Sequence, residues 1–222
     1  MDKLRIHRGV AAPLLRINID TDAIIPSREM KQVSKTGLGE GLFAGWRYIE
    51  PSGRTLNPDF ILNQSNFTKA TILLAGVNFG CGSSREHAVW ALKEYGFRVL
   101  IAPSFGAIFY NNCIRNGLLP VVLSEAVIGK LADTQTPAAL TVDLERCVLV
   151  APDGMEYPFE IQAEARDMLL DGLDPVALTL KLDDRILAFQ QRDRTERPWI
   201  YLPATGMHQV PKGSALPFSD NN

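Results

Sequence analysis

Asn78-Phe79-Gly80-Cys81-Gly82-Ser83-Ser84-Arg85-Glu86-His87 places two glycines, two hydroxyls and an arginine between a continuous apolar run and an amphipathic stretch. The preceding run, Ala70-Thr71-Ile72-Leu73-Leu74-Ala75-Gly76-Val77, reads as a buried strand. After it Ala88, Val89, Ala91, Leu92 and Tyr95 recur at helical spacing until Gly96 can end the helix. The stretch is therefore the turn into a helix over 85–95. The first N–H groups of such a helix lack intrahelical partners and concentrate positive potential there. Ser83 with Glu86 three residues later fits a capping box. A carboxylate, phosphate or alkoxide suits this helix start. Taken alone, the same glycines also suit a plain strand–helix turn in which Ser83 is only a cap.

Reading outward, 97–102 is a strand, 105–116 a helix stopped by Gly117, and 118–123 a strand, so 70–123 forms a β-α-β-α-β unit. A helix over 124–132 follows. Ala139 to Val150 and Tyr157 to Ile161 read as two strands of a hairpin turned at Ala151-Pro152-Asp153-Gly154. Helices are expected near 164–171 and 183–193, the second capped by Asp183 or Asp184. In the first 20 residues, Gly9–Leu14 and Leu15–Ile19 read as short strands interrupted at Pro13. Asp20 or Asp22 suits an Asx turn. The glycine-rich segment 31–45 reads as loop or short helical turns rather than core. After Arg194, Pro198, Pro203, Pro211 and Pro217 mark an irregular tail. The composite is mixed α/β, and local pattern leaves an open sheet and a partly closed barrel both possible.

With 46% hydrophobic and 22% charged residues the chain can build a sizeable core. No apolar run spans a bilayer, and the N-terminal residues lack the apolar centre of a signal peptide, so a cytoplasmic address is expected. A formal net charge of -2 without basic runs argues against nucleic-acid and acidic-membrane partners. Cys81, Cys113 and Cys147 are widely spaced and form no Cys-x-x-Cys pattern, so neither a disulfide framework nor a self-contained metal or cluster site is indicated. Cys81 at a helix start also suits a thiol nucleophile, but His87 has no evident orienting partner. Cys113 and Cys147 read as packed thiols, and Trp46, Trp90 and Trp199 as core or interface residues.

Gly80-Cys81-Gly82-Ser83-Ser84-Arg85-Glu86-His87 resembles the Gly-x-Gly-Ser-Ser-Arg-Glu-His signature of the mobile swivel domain of the aconitase superfamily. Asn18-Ile19-Asp20-Thr21-Asp22-Ala23-Ile24-Ile25-Pro26 is similar to the N-terminal signature of the small-subunit family of 3-isopropylmalate dehydratases. Further likeness runs through Phe43–Tyr48, Asn57–Phe60 and Ile101–Asn112, and covers roughly residues 1–193. The resemblance implies an α/β fold of aconitase-type swivel architecture, three-layer β/β/α with a partly closed, barrel-like sheet. It divides the chain into that domain, 1–193, and a C-terminal tail, 194–222.

For function the resemblance implies a hydro-lyase subunit acting on a small hydroxy-dicarboxylate. Ser83 would be the base that moves a proton at carbon, and Arg85 would bind a substrate carboxylate or support the serine alkoxide. Asp22 would organise the polar network, with Arg28, Gly82 and Ser84 in substrate binding. Arg28 precedes Glu29-Met30-Lys31, where relatives often carry an aromatic-leucine-basic run, so the side-chain specificity is not fixed by the likeness. No metal or cofactor is expected on this chain. A four-iron four-sulfur cluster is implied in a separate large subunit, the expected partner, which would activate the leaving hydroxyl. A sister enzyme acting on a methyl-substituted malate or homocitrate, and a stand-alone anion-binding module without catalysis, are the alternatives.

Overall fold

Ile72, Leu73, Leu74 and Ala75 are all fully buried, which requires cover on both faces of the strand they form. The structure, a computed structural model, describes residues 1–30, 36–50, 53–82, 85–132 and 139–201. In chain order its strands are β1 (Ile6–Leu14), β2 (Tyr48–Glu50), β3 (Thr55–Leu56), β4 (Ile72–Ala75), β5 (Val99–Ala102), β6 (Leu119–Val122), β7 (Ala139–Asp143), β8 (Val148–Val150) and β9 (Glu156–Pro158). Its helices are α1 (Thr21–Ile24), α2 (Ala44–Arg47), α3 (Glu86–Tyr95), α4 (Ala107–Asn116), α5 (Glu125–Ala132), α6 (Ala163–Asp171), α7 (Pro175–Leu180) and α8 (Asp183–Glu196).

Seven strands form one sheet in the order β6-β5-β4-β1-β7-β8-β9. The half from β6 to β1 is parallel, and the half from β1 to β9 is antiparallel. β1 serves both halves: Ile6 to Val10 pair with β7, and Ala11 to Leu14 pair with β4. Pro13 therefore sits where the strand has one partner, so its missing N–H need not break a ladder. A single strand thus runs where a break at Pro13 was expected, and Leu15–Ile19 is connection, not strand.

Alternation along the parallel strands divides the core into two layers. Ala12, Leu73 and Leu100 face a cluster with Ala88, Val89 and Leu92 of α3 and Phe109 and Cys113 of α4. Ile72, Leu74, Val99, Ile101 and Val121 face the other, with Ile128 and Leu131 of α5, Met168 and Leu169 of α6, and Leu140, Val142 and Leu149 of the antiparallel half. Residues from both halves of the sheet meet in that second cluster, as a curled, half-barrel sheet requires.

Several expectations are corrected. Ala139 to Val150 is two strands, turned through a segment where Cys147 has φ 53°, so the antiparallel half is a three-stranded meander. Leu38, Leu42 and Phe43 are buried to 2% exposure or less, which makes part of 31–45 core; residues 31–35 lie outside the described residues. Alternating glycines had masked these apolar residues because no helical or strand period connects them. Leu182, without a side-chain cap, precedes α8, and Asp183 and Asp184 lie in its first turn. Pro175–Leu180 adds a short helix absent from the sequence reading.

The chain divides into two units, Met1–Leu178 and Thr179–Asn222. Within the second, the Asp193 carboxylate accepts from Arg197 Nε at 2.6 Å and Tyr201 Oη at 2.7 Å, tying the end of α8 to the turn at Pro198–Ile200. Trp199 there is exposed. Of the tail expected over 194–222, residues 202–222 lie outside the described residues.

The turn Gly37–Gly39 is held to the end of α3 by Glu94, whose carboxylate accepts from the backbone N–H groups of Gly37, Leu38 and Gly39 at 2.6, 2.5 and 2.8 Å. Burial raises the Glu94 pKa, but the three donors together outweigh it and leave the group below its ordinary value of 4.5. A depressed folded value stabilises fully above the unfolded pKa and is lost as pH falls through the folded one. Glu94→Gln should therefore lower the urea midpoint at neutral pH, and the gap from wild type should close as pH drops below 4.5. Leu73→Ala should cost about 3 kcal/mol in the same assay. Leu56→Ala, on exposed β3, should cost less than about 0.5 kcal/mol.

Candidate active site

β1, β4 and β5 are parallel neighbours, so the loops that follow them leave from one edge of the sheet, where α/β folds build ligand sites. Backbone hydrogen bonds join these loops. Asn18 N–H donates to the Val77 carbonyl at 2.8 Å, Gly80 N–H to that of Ile19 at 2.7 Å, and Thr21 N–H to that of Cys81 at 3.1 Å. Phe79 N–H donates to the Ser104 carbonyl at 3.0 Å, and Gly106 N–H to that of Phe79 at 2.9 Å. The two sequence motifs, far apart in the chain, thus lie side by side.

Asp20 caps α1, its Oδ1 accepting from Ala23 N–H at 2.7 Å, which realises the expected Asx geometry as a helix start. The cap places Asp22 in the first turn of α1. There its Oδ1 accepts from the guanidinium of Arg85, the residue that opens α3. Side-chain exposures of 56% for Asp22 and 31% for Arg85 make this a solvent-facing pair worth about 0–1 kcal/mol, enough to orient the arginine without locking it.

Two glycines permit the approach. A Cβ on Gly80, at φ 72°, would lie 2.2 Å from the Phe109 ring, which packs edge-on against Phe79. Gly82 has φ 89°, and a Cβ there would lie 3.4 Å from Asp20 Cβ. The structure thus brings Asp22, Gly82 and Arg85 together. Arg28 is placed elsewhere: its Nε lies 3.5 Å from Glu29 Oε1, and its guanidinium flanks Gly45 of α2. Ser83 and Ser84 lie outside the described residues.

The expected capping box is corrected. The N-cap of α3 is Arg85, without a side-chain cap, and Glu86 Oε1 instead accepts from Asn116 Nδ2 at 2.7 Å. Asn116 Oδ1 also accepts from Trp90 Nε1 at 3.0 Å, so Glu86 helps dock α3 on the end of α4. The His87 ring lies against Trp90, with centroids 4.8 Å apart. Trp46 stacks on Phe43 and carries the Arg16 guanidinium 4.5 Å from its centroid. Sequence reasoning quoted Asn18 and Asn78 within motifs but gave them no role. Both have left-handed backbone, and their side chains are hydrogen bonded. The available signal was asparagine, the residue besides glycine that best tolerates that conformation, at the head of each motif.

The thiols do not make a cluster site. Cys113 is fully buried, with its pKa pushed well above the ordinary value by that burial, and Cys147 Sγ donates to the Leu144 carbonyl at 3.4 Å. Among the described residues no three His, Cys, Asp or Glu side chains converge as a metal site would need. This donor set does not fit an iron–sulfur cluster. A guanidinium at a helix start, held by an acid, is an arrangement that suits an anion.

Residues 1–126 match the aconitase C-terminal domain and 130–163 the LeuD_N domain, so the sheet is that of an aconitase-type swivel domain. A 3-isopropylmalate dehydratase small subunit from Cupriavidus necator is 63% identical over 205 residues, spanning 90% of this chain and 99% of the relative. One from Rhodospirillum centenum is 52% identical over 202 residues, spanning 90% and 98%. The solved 3-isopropylmalate dehydratase from Methanocaldococcus jannaschii is 28% identical, with a TM-score of 0.60 over 84% of this chain and 99% of that one. The chain belongs to the family of 3-isopropylmalate dehydratase small subunits.

Gly80→Ala should destabilise the domain by about 3 kcal/mol or more, because strain and a ring clash combine. Gly82→Ala, with strain alone, should cost about 1 kcal/mol. Thermal unfolding of the two variants checks the order.

Proposed function

We propose that this chain is the small subunit of a 3-isopropylmalate dehydratase. The enzyme converts 2-isopropylmalate to 3-isopropylmalate through 2-isopropylmaleate, in leucine biosynthesis and in the cytoplasm. The observation that carries the reading is the Asp22–Arg85 ion pair, which joins the Thr-Asp and Ser-Ser-Arg motifs at the carboxyl edge of the parallel strands. The relatives named above support the family and the need for a large-subunit partner.

In this reading Ser83 takes the proton from the substrate carbon as hydroxide departs, and returns it when water adds in the opposite sense. A serine hydroxyl is nearly fully protonated at neutral pH, so it acts only where preorganised donors hold its alkoxide. Arg85 and the backbone amides from Gly82 to Arg85 serve that end, and Ser84 is assigned with Gly82 to substrate binding. Asp22 keeps the guanidinium in place, and Arg85 also takes a substrate carboxylate. Arg28, which is not joined to Asp22 or Arg85, is assigned to the substrate side chain by the family likeness alone. The large subunit's four-iron four-sulfur cluster would supply Lewis-acid chemistry at the leaving hydroxyl. The swivel domain is taken as 1–193 and the tail as 194–222.

Reconstituted anaerobically with its large subunit, the chain should turn over 2-isopropylmalate, read as ultraviolet absorbance of the unsaturated diacid, and neither subunit should do so alone. Ser83→Ala should leave the complex assembled on size exclusion and reduce kcat by at least about a thousand-fold, as loss of an essential base does. Turnover of a methyl-substituted malate or homocitrate alone would move the specificity. Binding of the diacid without turnover in an intact complex would support the anion-binding module instead.

A further inference from the structure

Asn18 and Asn78 are two of five non-glycine residues with positive φ among the described residues, at 54° and 61°. They head the two motifs that meet at the site. They lie in the loops that follow β1 and β4, and their side chains face one another, Asn78 Nδ2 donating to Asn18 Oδ1 at 2.9 Å. Their backbones are held as well. Asn18 N–H reaches the Val77 carbonyl at 2.8 Å, and Asn78 N–H reaches Ser104 Oγ at 2.9 Å. A left-handed turn at a non-glycine residue costs energy and persists only where the surroundings fix it, and such outliers gather at functional sites.

We infer that the Asn18–Asn78 amide pair is a positioning clasp: it locks the loops after β1 and β4 into the mutual register that brings Asp22 to Arg85. Asparagine meets both demands at once. It tolerates the left-handed backbone, and its amide is both donor and acceptor, so two facing amides bond without any charge. The clasp touches no reacting atom. It acts through the backbone bonds that follow it, Gly80 N–H to Ile19 and Thr21 N–H to Cys81, which lie between the clasp and the Asp22–Arg85 pair.

The kinetic readout of this inference rests on the dehydratase reading; a second readout does not. Asn18→Gly and Asn78→Gly keep the left-handed backbone and delete the amide. In the reconstituted complex each should lower kcat about tenfold, because small misplacements of catalytic groups are costly, with a smaller change in KM. Asn18→Asp leaves the Asn78 amide donating to a carboxylate, and Asn78→Asp does so once the Asn18 amide turns over to present its Nδ2, so each should stay within about threefold of wild type. The double Asp variant sets two carboxylates face to face. It should lose activity at neutral pH beyond the product of the singles, and regain it as acidification protonates one of them. Amide hydrogen exchange at Gly80 and Thr21 should accelerate in the Gly variants and in the double Asp variant, and stay slow in the single Asp variants. A double Asp variant equal to the product of its singles at every pH, or unchanged exchange in the Gly variants, would overturn the clasp. If the wild-type complex shows no turnover, the dehydratase reading fails while exchange still decides the clasp.

Discussion

The parallel pairing of β1 with β4 outlasts the strands themselves, and the site depends on that continuation. Leu14 pairs with Ala75 at the end of the ladder, and the same sequence offset returns in the bridge between Asp20 and Cys81. Both chains therefore spend the same number of residues leaving the sheet and coming back into register. Gly80 N–H to Ile19 and Thr21 N–H to Cys81 are the bonds that hold them there. An insertion of one residue in either loop would slide α1 along α3 and part Asp22 from Arg85, although every strand and both cores remained intact.

Why this edge can be so exact follows from the sheet beneath it. The parallel half is buried on both faces, so each of its strands is fixed by two layers of side chains at native packing density. β1 belongs to both halves, and its exchange of partners after Val10 lets the antiparallel meander curl over one face of the parallel half. Rigidity in the scaffold is what allows chemistry to sit in loops.

Much of this was legible because burial on two faces writes continuous apolar runs and helices write a clear period. β4, β5, β6 and the helices between them follow that signal to within two residues at each end. The misreadings share a cause: the deciding partner lay far away in sequence. Pro13 breaks a strand only if both edges are paired, and here one is not. Leu38, Leu42 and Phe43 are core because α1, α2 and α3 surround them, not because of any local pattern. At the site, the two motifs announced Asp22, Gly82 and Arg85, whereas the pairing of Asn18 with Asn78 is a relation between loops that no single stretch encodes. Glu86 misled in the opposite way: a local capping pattern lost to a long-range bond with Asn116.

The exposure of the Asp22–Arg85 pair bears on why this chain would act only as part of a larger enzyme. In water a guanidinium's field is screened within about 10 Å at ordinary salt and divided by a high dielectric, so it lowers the energy of a nearby alkoxide only slightly. Shielded from solvent, the same arginine and the same helix start act several-fold more strongly on an oxyanion, with no atom moved. The chain supplies orientation: register, clasp, cap and ion pair all serve to aim one cation and one helix terminus. Among the described residues the pair itself stays open to solvent. A partner that covered this pair would exclude water from it and so turn a weakly held surface pair into a stronger electrostatic site.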